Sequence, residues 1–181
     1  MICTYSGRYV DPFHPDPEQI DPIDIAHALA RIARFNGHTA GGLYTVAQHS
    51  LTVAAVSRDR WGLFHDAAEA YMGDLARPLK SRLGWYRLGE NPTFPAWHDA
   101  EAKLLHAIAE RFGLPIVDDY PLPYPDAVAR ADDAVLAAEI RDLFPAGFDG
   151  LRPDCEPVPG LIVPRSEEHT SDLQSRHVIS Y

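Results

Sequence analysis

The residues best suited to chemistry lie in Leu63-Phe64-His65-Asp66-Ala67-Ala68-Glu69-Ala70-Tyr71-Met72-Gly73-Asp74. There a His-Asp pair and two further carboxylates interrupt an apolar, small-residue run. An ionised carboxylate buried without a partner costs several kcal/mol, and a metal ion supplies the largest compensating charge. On a helix His65 and Glu69 stand at i and i+4, and Asp66 and Glu69 at i and i+3, so all three face one side. The pattern reads as a metal site with a carboxylate beside it. A second imidazole, His49, falls on an apolar stripe with Val46, Val53 and Val56. Alone it reads as a core histidine. Antiparallel packing across the short Asp59-Arg60 connection would instead set it against His65. Arg77 and Lys80 add two cations just beyond the run.

Several helices must position these groups. Ile25, Ala28, Leu29, Ile32 and Phe35 follow helical spacing, with Asp24 as N-cap and Asn36-Gly37 as the stop. A second helix begins near Thr45, and a third carries His65-Asp66 and ends between Gly73 and Pro78. A fourth runs from about Pro95 to Phe112, burying Trp97, Leu104, Leu105, Ile108 and Phe112. A fifth runs from Asp126 to about Phe144, burying Val128, Ala131, Val135, Ala138 and Leu143, with Asp132-Asp133 at its middle. Cys3 to Val10 reads as a short β-hairpin, Ser81 to Pro92 as a loop over a pocket, and Leu161-Ile162-Val163 as one strand in an irregular arm. The expected fold is an all-α bundle of about five to seven helices with a short N-terminal hairpin.

Residues 1–164 are expected to form one domain. Residues 165–181 have no hydrophobic period, and Arg165 to Arg176 resembles the translation of a common sequencing adapter, so this stretch reads as a non-native tail. His169 and His177 are set aside with it. The 181 residues are 46% hydrophobic with a net charge of -10, which disfavours a nucleic-acid binder held by phosphate contacts. No run approaches the roughly 20 apolar residues of a membrane span. Two cysteines, Cys3 and Cys155, and a start unlike a signal peptide predict a reducing, cytoplasmic setting.

His49, His65-Asp66 and an Asp in a late helix after Arg130-Ala131 resemble the H…HD…D signature of the HD-domain metal-dependent phosphohydrolases. Tyr44 to Ser50, His65 to Asp74 and Arg77-Pro78-Leu79-Lys80 resemble the 5'-deoxynucleotidase branch. Asp24 to Leu29 and Arg34 to Thr39 are most similar to its phage relatives, which hydrolyse dATP. The likeness spans about Ile2 to Phe144. It implies an HD-domain bundle and a divalent ion (Zn, Co or Mn) on His49, His65, Asp66 and Asp132, with Asp133 the alternative fourth ligand. A second ion such as Mg would accompany the phosphates.

Further roles follow from the resemblance. Glu69 would orient or deprotonate a water whose pKa such an ion lowers from about 15.7 towards about 7. Asp74 would meet the 3'-hydroxyl or the leaving oxygen. Arg34, fifteen residues before His49, would clamp phosphate with Arg77 and Lys80. Phe35 replaces the tryptophan of the branch, His38 lies in the matching turn, and Ile20 or Ile23 would abut the adenine edge. The implied activity is conversion of dATP to deoxyadenosine with triphosphate or stepwise phosphate release, in a homo-dimer or hexamer, without nucleic-acid or membrane partners. The alternatives are a 5'-deoxynucleotidase of dNMPs, a phosphodiesterase or alarmone hydrolase, and a nucleotide-binding helical module without turnover.

Overall fold

A computed structural model describes residues 1–77, 79–80, 97–117, 122–145 and 153–164. The expected pocket loop at 81–92, the start of the fourth helix at 95–96 and the tail at 165–181 lie outside the described residues. Strands β1 (Ile2–Cys3) and β2 (Tyr9–Val10) pair antiparallel, closed by a turn in which Gly7 adopts φ 84°. Helices follow in the order α1 (Pro22–Leu29), α2 (Val46–Ser57), α3 (Trp61–Phe64), α4 (Glu69–Met72), α5 (Trp97–Phe112) and α6 (Asp126–Leu143). The expected all-α fold with an N-terminal hairpin is what the chain adopts. Among the described residues no helix is long and apolar enough to cross a membrane.

Local chemistry explains the boundaries. Asp21, not Asp24, caps α1: its carboxylate accepts from the Ile23 amide at 2.9 Å, and Pro22 takes the first helical position, where a missing N–H is harmless. Asp24 is instead buried in the first turn. It accepts from the Ser6 amide at 2.6 Å and hydroxyl at 2.8 Å, which ties the hairpin to α1. Thr45 and Gln48 exchange side-chain and backbone bonds in a capping box that starts α2.

The first helix stops earlier than its spacing predicts. After Leu29 the chain leaves helix because Ala33 bridges Thr45, the Arg34 amide donates to the Tyr44 carbonyl, and the Val46 amide donates to the Ile32 carbonyl. A tight turn follows at Arg34–Gly37, with Phe35 and Asn36 at φ 54° and 52°. Tertiary pairing here overrides an apolar period that Ile32 and Phe35 continue in sequence. The predicted strand at Leu161-Ile162-Val163 is also absent: the Ile162 amide donates to the Asp142 carboxylate at 2.9 Å, so the arm is pinned to α6 by a side chain.

The run Leu63 to Met72 winds helically but is tightened in the middle, and Gly73 at φ 80° ends it. Between α3 and α4, bonds of i→i−3 type join Ala67 to Phe64, Glu69 to Asp66 and Ala70 to Ala67. Such winding nearly eclipses side chains three apart, which keeps Asp66 and Glu69 on one side. Helix α2 packs on both α3 and α6. Trp61, Phe64, Leu104, Leu105 and Ile108 lie within a continuous core, each at most 1% exposed. The inward set predicted for the last helix, Val128, Ala131, Val135, Ala138 and Leu143, is buried on α6. Val56, predicted on the inner stripe of α2, is exposed.

Candidate metal centre

Three elements converge on one point. His49 comes from α2, His65 from the end of α3 and Asp132 from the middle of α6, and one ligand atom from each lies within 4.8 Å of the others. His49 Nε2 is 3.2 Å from His65 Nε2 and 3.0 Å from Asp132 Oδ1. Asp66 approaches the same point, its Oδ2 3.3 Å from His65 Nε2 and 3.6 Å from His49 Nε2. The Asp132-Asp133 ambiguity resolves geometrically: Asp132 faces His49, while Asp133 is half-exposed and meets Arg77.

The donor set fits a cation. His65 Nδ1 lies 2.9 Å from the Gly62 carbonyl, and His49 Nδ1 lies 2.6 Å from Glu139 Oε1. Both acceptors require a ring N–H, so in the neutral rings each Nε2 presents a lone pair to the other and to two carboxylates. Four acceptors converging around two buried imidazoles call for a proton or a metal at their centre. Two imidazoles with carboxylate oxygen suit first-row ions such as Zn, Co or Mn.

The electrostatics show the same demand for positive charge. Burial and Arg34 oppose a charged His49, yet Glu139 and Asp132 outweigh them and raise it to about 9. Burial opposes ionisation of Asp132, but the His49 hydrogen bond and the nearby His65 and Arg34 charges hold its carboxyl well below the usual range. Asp66 is lowered too, by His65, His49 and Arg34 against burial.

Beside the ligands opens a cavity of 590 Å³, within the range of small-molecule sites. Glu69 and Asp74 line it, and burial raises both carboxyls, Glu69 well above its ordinary value with Asp66 adding to the effect. Glu69 Oε1 accepts from Lys80 at 2.8 Å, whereas its buried Oε2 has no hydrogen-bond partner among the described residues. Lys80 also meets Glu101 at 3.0 Å, and Arg77 meets Asp132 Oδ2 at 3.1 Å. Phe35 stands edge-on to Phe144 at 5.0 Å along the apolar wall, with Ile140 and Leu136.

Four sequence expectations need correction. Ile20 is fully buried in the core and does not line the cavity, because it directly precedes the Asp21 cap, where an apolar residue staples onto the first turns of a helix. Ile23 is exposed on the outer face of α1, and His38 is exposed beyond the Arg34–Gly37 turn; neither lines the cavity. Arg34 does line the cavity, but it is 9% exposed and both its terminal nitrogens are engaged, with Asp66 at 3.3 Å and Glu139 at 3.1 Å. Sequence reasoning missed Glu139, Glu101 and the cavity-lining Tyr124. A signal for Glu139 existed: it is the one acid among the inward residues that follow Asp132 on α6, seven positions on.

Fold and site together define a helical protein with a His-His-Asp cluster, its two histidines buried, able to hold a metal ion and set beside a cavity. The chain is 35% identical over 160 residues to the uncharacterized protein RCAP_rcc00048 of Rhodobacter capsulatus, covering 82% of this chain and 74% of that one. It is 35% identical over 148 residues to the uncharacterized protein YfdR of Escherichia coli, covering 79% and 72%. The protein belongs to the family of these two. No family model matches the chain.

Proposed function

We propose that this protein is a divalent-metal-dependent phosphohydrolase of deoxynucleotide 5'-phosphates, with dATP as its first substrate. The observation that carries the reading is the pair of imidazole Nε2 atoms 3.2 Å apart, joined by Asp132 and opening beside a cavity with Glu69 and Asp74 in its wall. The H…HD…D resemblance supplies the reaction class. When bound, a divalent ion supplies Lewis acidity to a phosphate and acidifies coordinated water.

The chain's own residues supply the rest. Lys80 anchors Glu69 through Oε1 and leaves the buried Oε2 as the atom that accepts a proton from attacking water. Asp74, in the wall of the same cavity, is assigned to the leaving oxygen or the 3'-hydroxyl. Arg77, more than half exposed, is the basic group best placed to reach an entering phosphate. The apolar wall around Phe35, Phe144 and Tyr124 offers area for a sugar and base. The choice of adenine rests on the sequence resemblance, since Ile20 and Ile23 lie away from the cavity.

The test is phosphate and triphosphate release from dATP, dGTP, dAMP and ATP, with and without a chelator. Chelator-sensitive turnover of deoxynucleotides is expected. Equal turnover of dATP and dGTP would remove the adenine preference. No turnover of any nucleotide would leave a nucleotide-binding module.

A further inference from the structure

We infer that Glu139 is the positioning residue of the metal centre: it holds His49 in the tautomer that can coordinate and, through Arg34, steadies Asp66 on the opposite side. The inference rests on the metal reading above but concerns a residue outside the ligand set. Glu139 lies seven residues after Asp132 on α6, fully buried. A buried carboxylate has no water to solvate it, so protein donors must satisfy it. Three do. Tyr44 Oη donates to Oε1 at 2.8 Å, His49 Nδ1 lies 2.6 Å from the same oxygen, and Arg34 Nη2 donates to Oε2 at 3.1 Å.

An ionised carboxylate only accepts, so His49 Nδ1 carries the proton and Nε2 is the atom left for coordination. The Arg34 guanidinium at 3.1 Å and the Tyr44 hydroxyl at 2.8 Å mark Glu139 as the accepting, charged partner of this cluster. Arg34 extends the brace: its Nη1 reaches Asp66 Oδ2 at 3.3 Å while Nη2 holds Glu139. The planar guanidinium thus sets the acid behind His49 and the acid beside His65 at a fixed separation, which a lysine point charge would not do. Arg34 is on this account a brace, and phosphate contact falls to other cations of the cavity.

Glu139→Gln presents one acceptor and one donor where three donors converge. With its oxygen towards Tyr44 and His49, its amide faces the Arg34 guanidinium. With its oxygen towards Arg34, its amide favours the His49 tautomer protonated at Nε2, which cannot bind metal. Titrating metal-free wild type and Glu139→Gln with Co²⁺ by visible absorption should show affinity lowered about 10- to 100-fold in the variant. Tyr44→Phe removes a donor but leaves the tautomer, and should stay within a few-fold of wild type. A second measurement needs no variant: ¹⁵N NMR of the Zn²⁺-loaded wild type should show a slowly exchanging Nδ1–H on His49. Equal Co²⁺ affinity in a folded Glu139→Gln, or a His49 proton on Nε2 in the Zn²⁺ form, overturns the role of Glu139 and leaves the metal centre standing. Absence of Co²⁺ binding by the wild type removes the metal centre itself and this role with it.

Discussion

His49 Nε2 and His65 Nε2 face each other at 3.2 Å, although one comes from α2 and the other from the end of α3. Neighbouring ligands on an ion with bonds of about 2.0–2.1 Å are separated by about 3 Å, so the two rings already stand at a coordination edge. The bonds from Nδ1 to Glu139 and to the Gly62 carbonyl hold both rings in that pose.

Asp132 and Asp133 should separate cleanly by metal analysis. Asp132→Asn is expected to lose stoichiometric divalent metal, while Asp133→Asn keeps it, because Asp133 is turned to Arg77. Equal metal content in the two purified variants would refute the assignment of Asp132.

Metal affinity should rise with pH up to about 9. In the metal-free protein His49 is raised from 6.5 to about 9, so at neutral pH it carries a proton that an ion must displace. Below that value each binding event releases a proton; above it the dependence flattens. Calorimetry in buffers of different ionisation enthalpy measures the release, and a value near zero at pH 7 would contradict the raised His49.

Gly62→Ala should damage fold and site together. An added Cβ would run into Ala54 Cα and lie 2.6 Å from the Ala54 amide nitrogen, both backbone atoms of α2. Relief requires α3 to move off α2, which carries His65 away from His49. Overpacking of this kind costs about 1–3 kcal/mol, read as a lower Tm with weaker Co²⁺ binding. Loss of stability with unaltered metal affinity would show that the two helices need not touch there for the rings to meet.

Lys80→Met removes the cation from Glu69, whose carboxyl is 4% exposed and already raised by burial. Uncompensated, Glu69 should rise further, and its folded form should hold a proton over a wider pH range. Breaking such a buried pair costs about 3–5 kcal/mol, less here because the Lys80 side chain keeps 18% exposure. If Glu69 acts as a base, the acid limb of the rate profile moves to higher pH; an unmoved limb would exclude it.

Much of this was legible in the residues, for physical reasons that differ by element. Helices α2 and α6 announce themselves through the Val46, His49, Val53 stripe and the Val128, Ala131, Val135 stripe, both local signals. The His65-Asp66 pair stood out because acids are scarce in apolar runs. The stop after Leu29 was not legible, since it depends on pairing of Ala33 with Thr45, and nothing near Ile32 or Phe35 encodes that partner. Ile20 and Ile23 were placed by likeness alone. The Asp21 cap and Pro22, which turn one residue into the core and the other outward, were the local signal against it. Glu139 was missed because attention to His-Asp spacing overlooked an acid on an otherwise inward face.

The pairing of the cavity's cations bears on the order in which ligands arrive. Its described lining holds Arg34, Arg77 and Lys80 against Asp66, Glu69, Asp74, Glu101, Asp132 and Asp133, and every one of the three bases is bonded to acids of this set or to Glu139. An anion approaching the cavity therefore meets repulsion from this described lining. A divalent ion held by His49, His65 and Asp132 would reduce that repulsion and compete with Arg77 for Asp132, leaving the guanidinium on Asp133 at the cavity wall. On the proposed function, loading would be sequential, cation before phosphate, and the anion's on-rate in the metal-free protein should increase with added salt as the repulsion is screened.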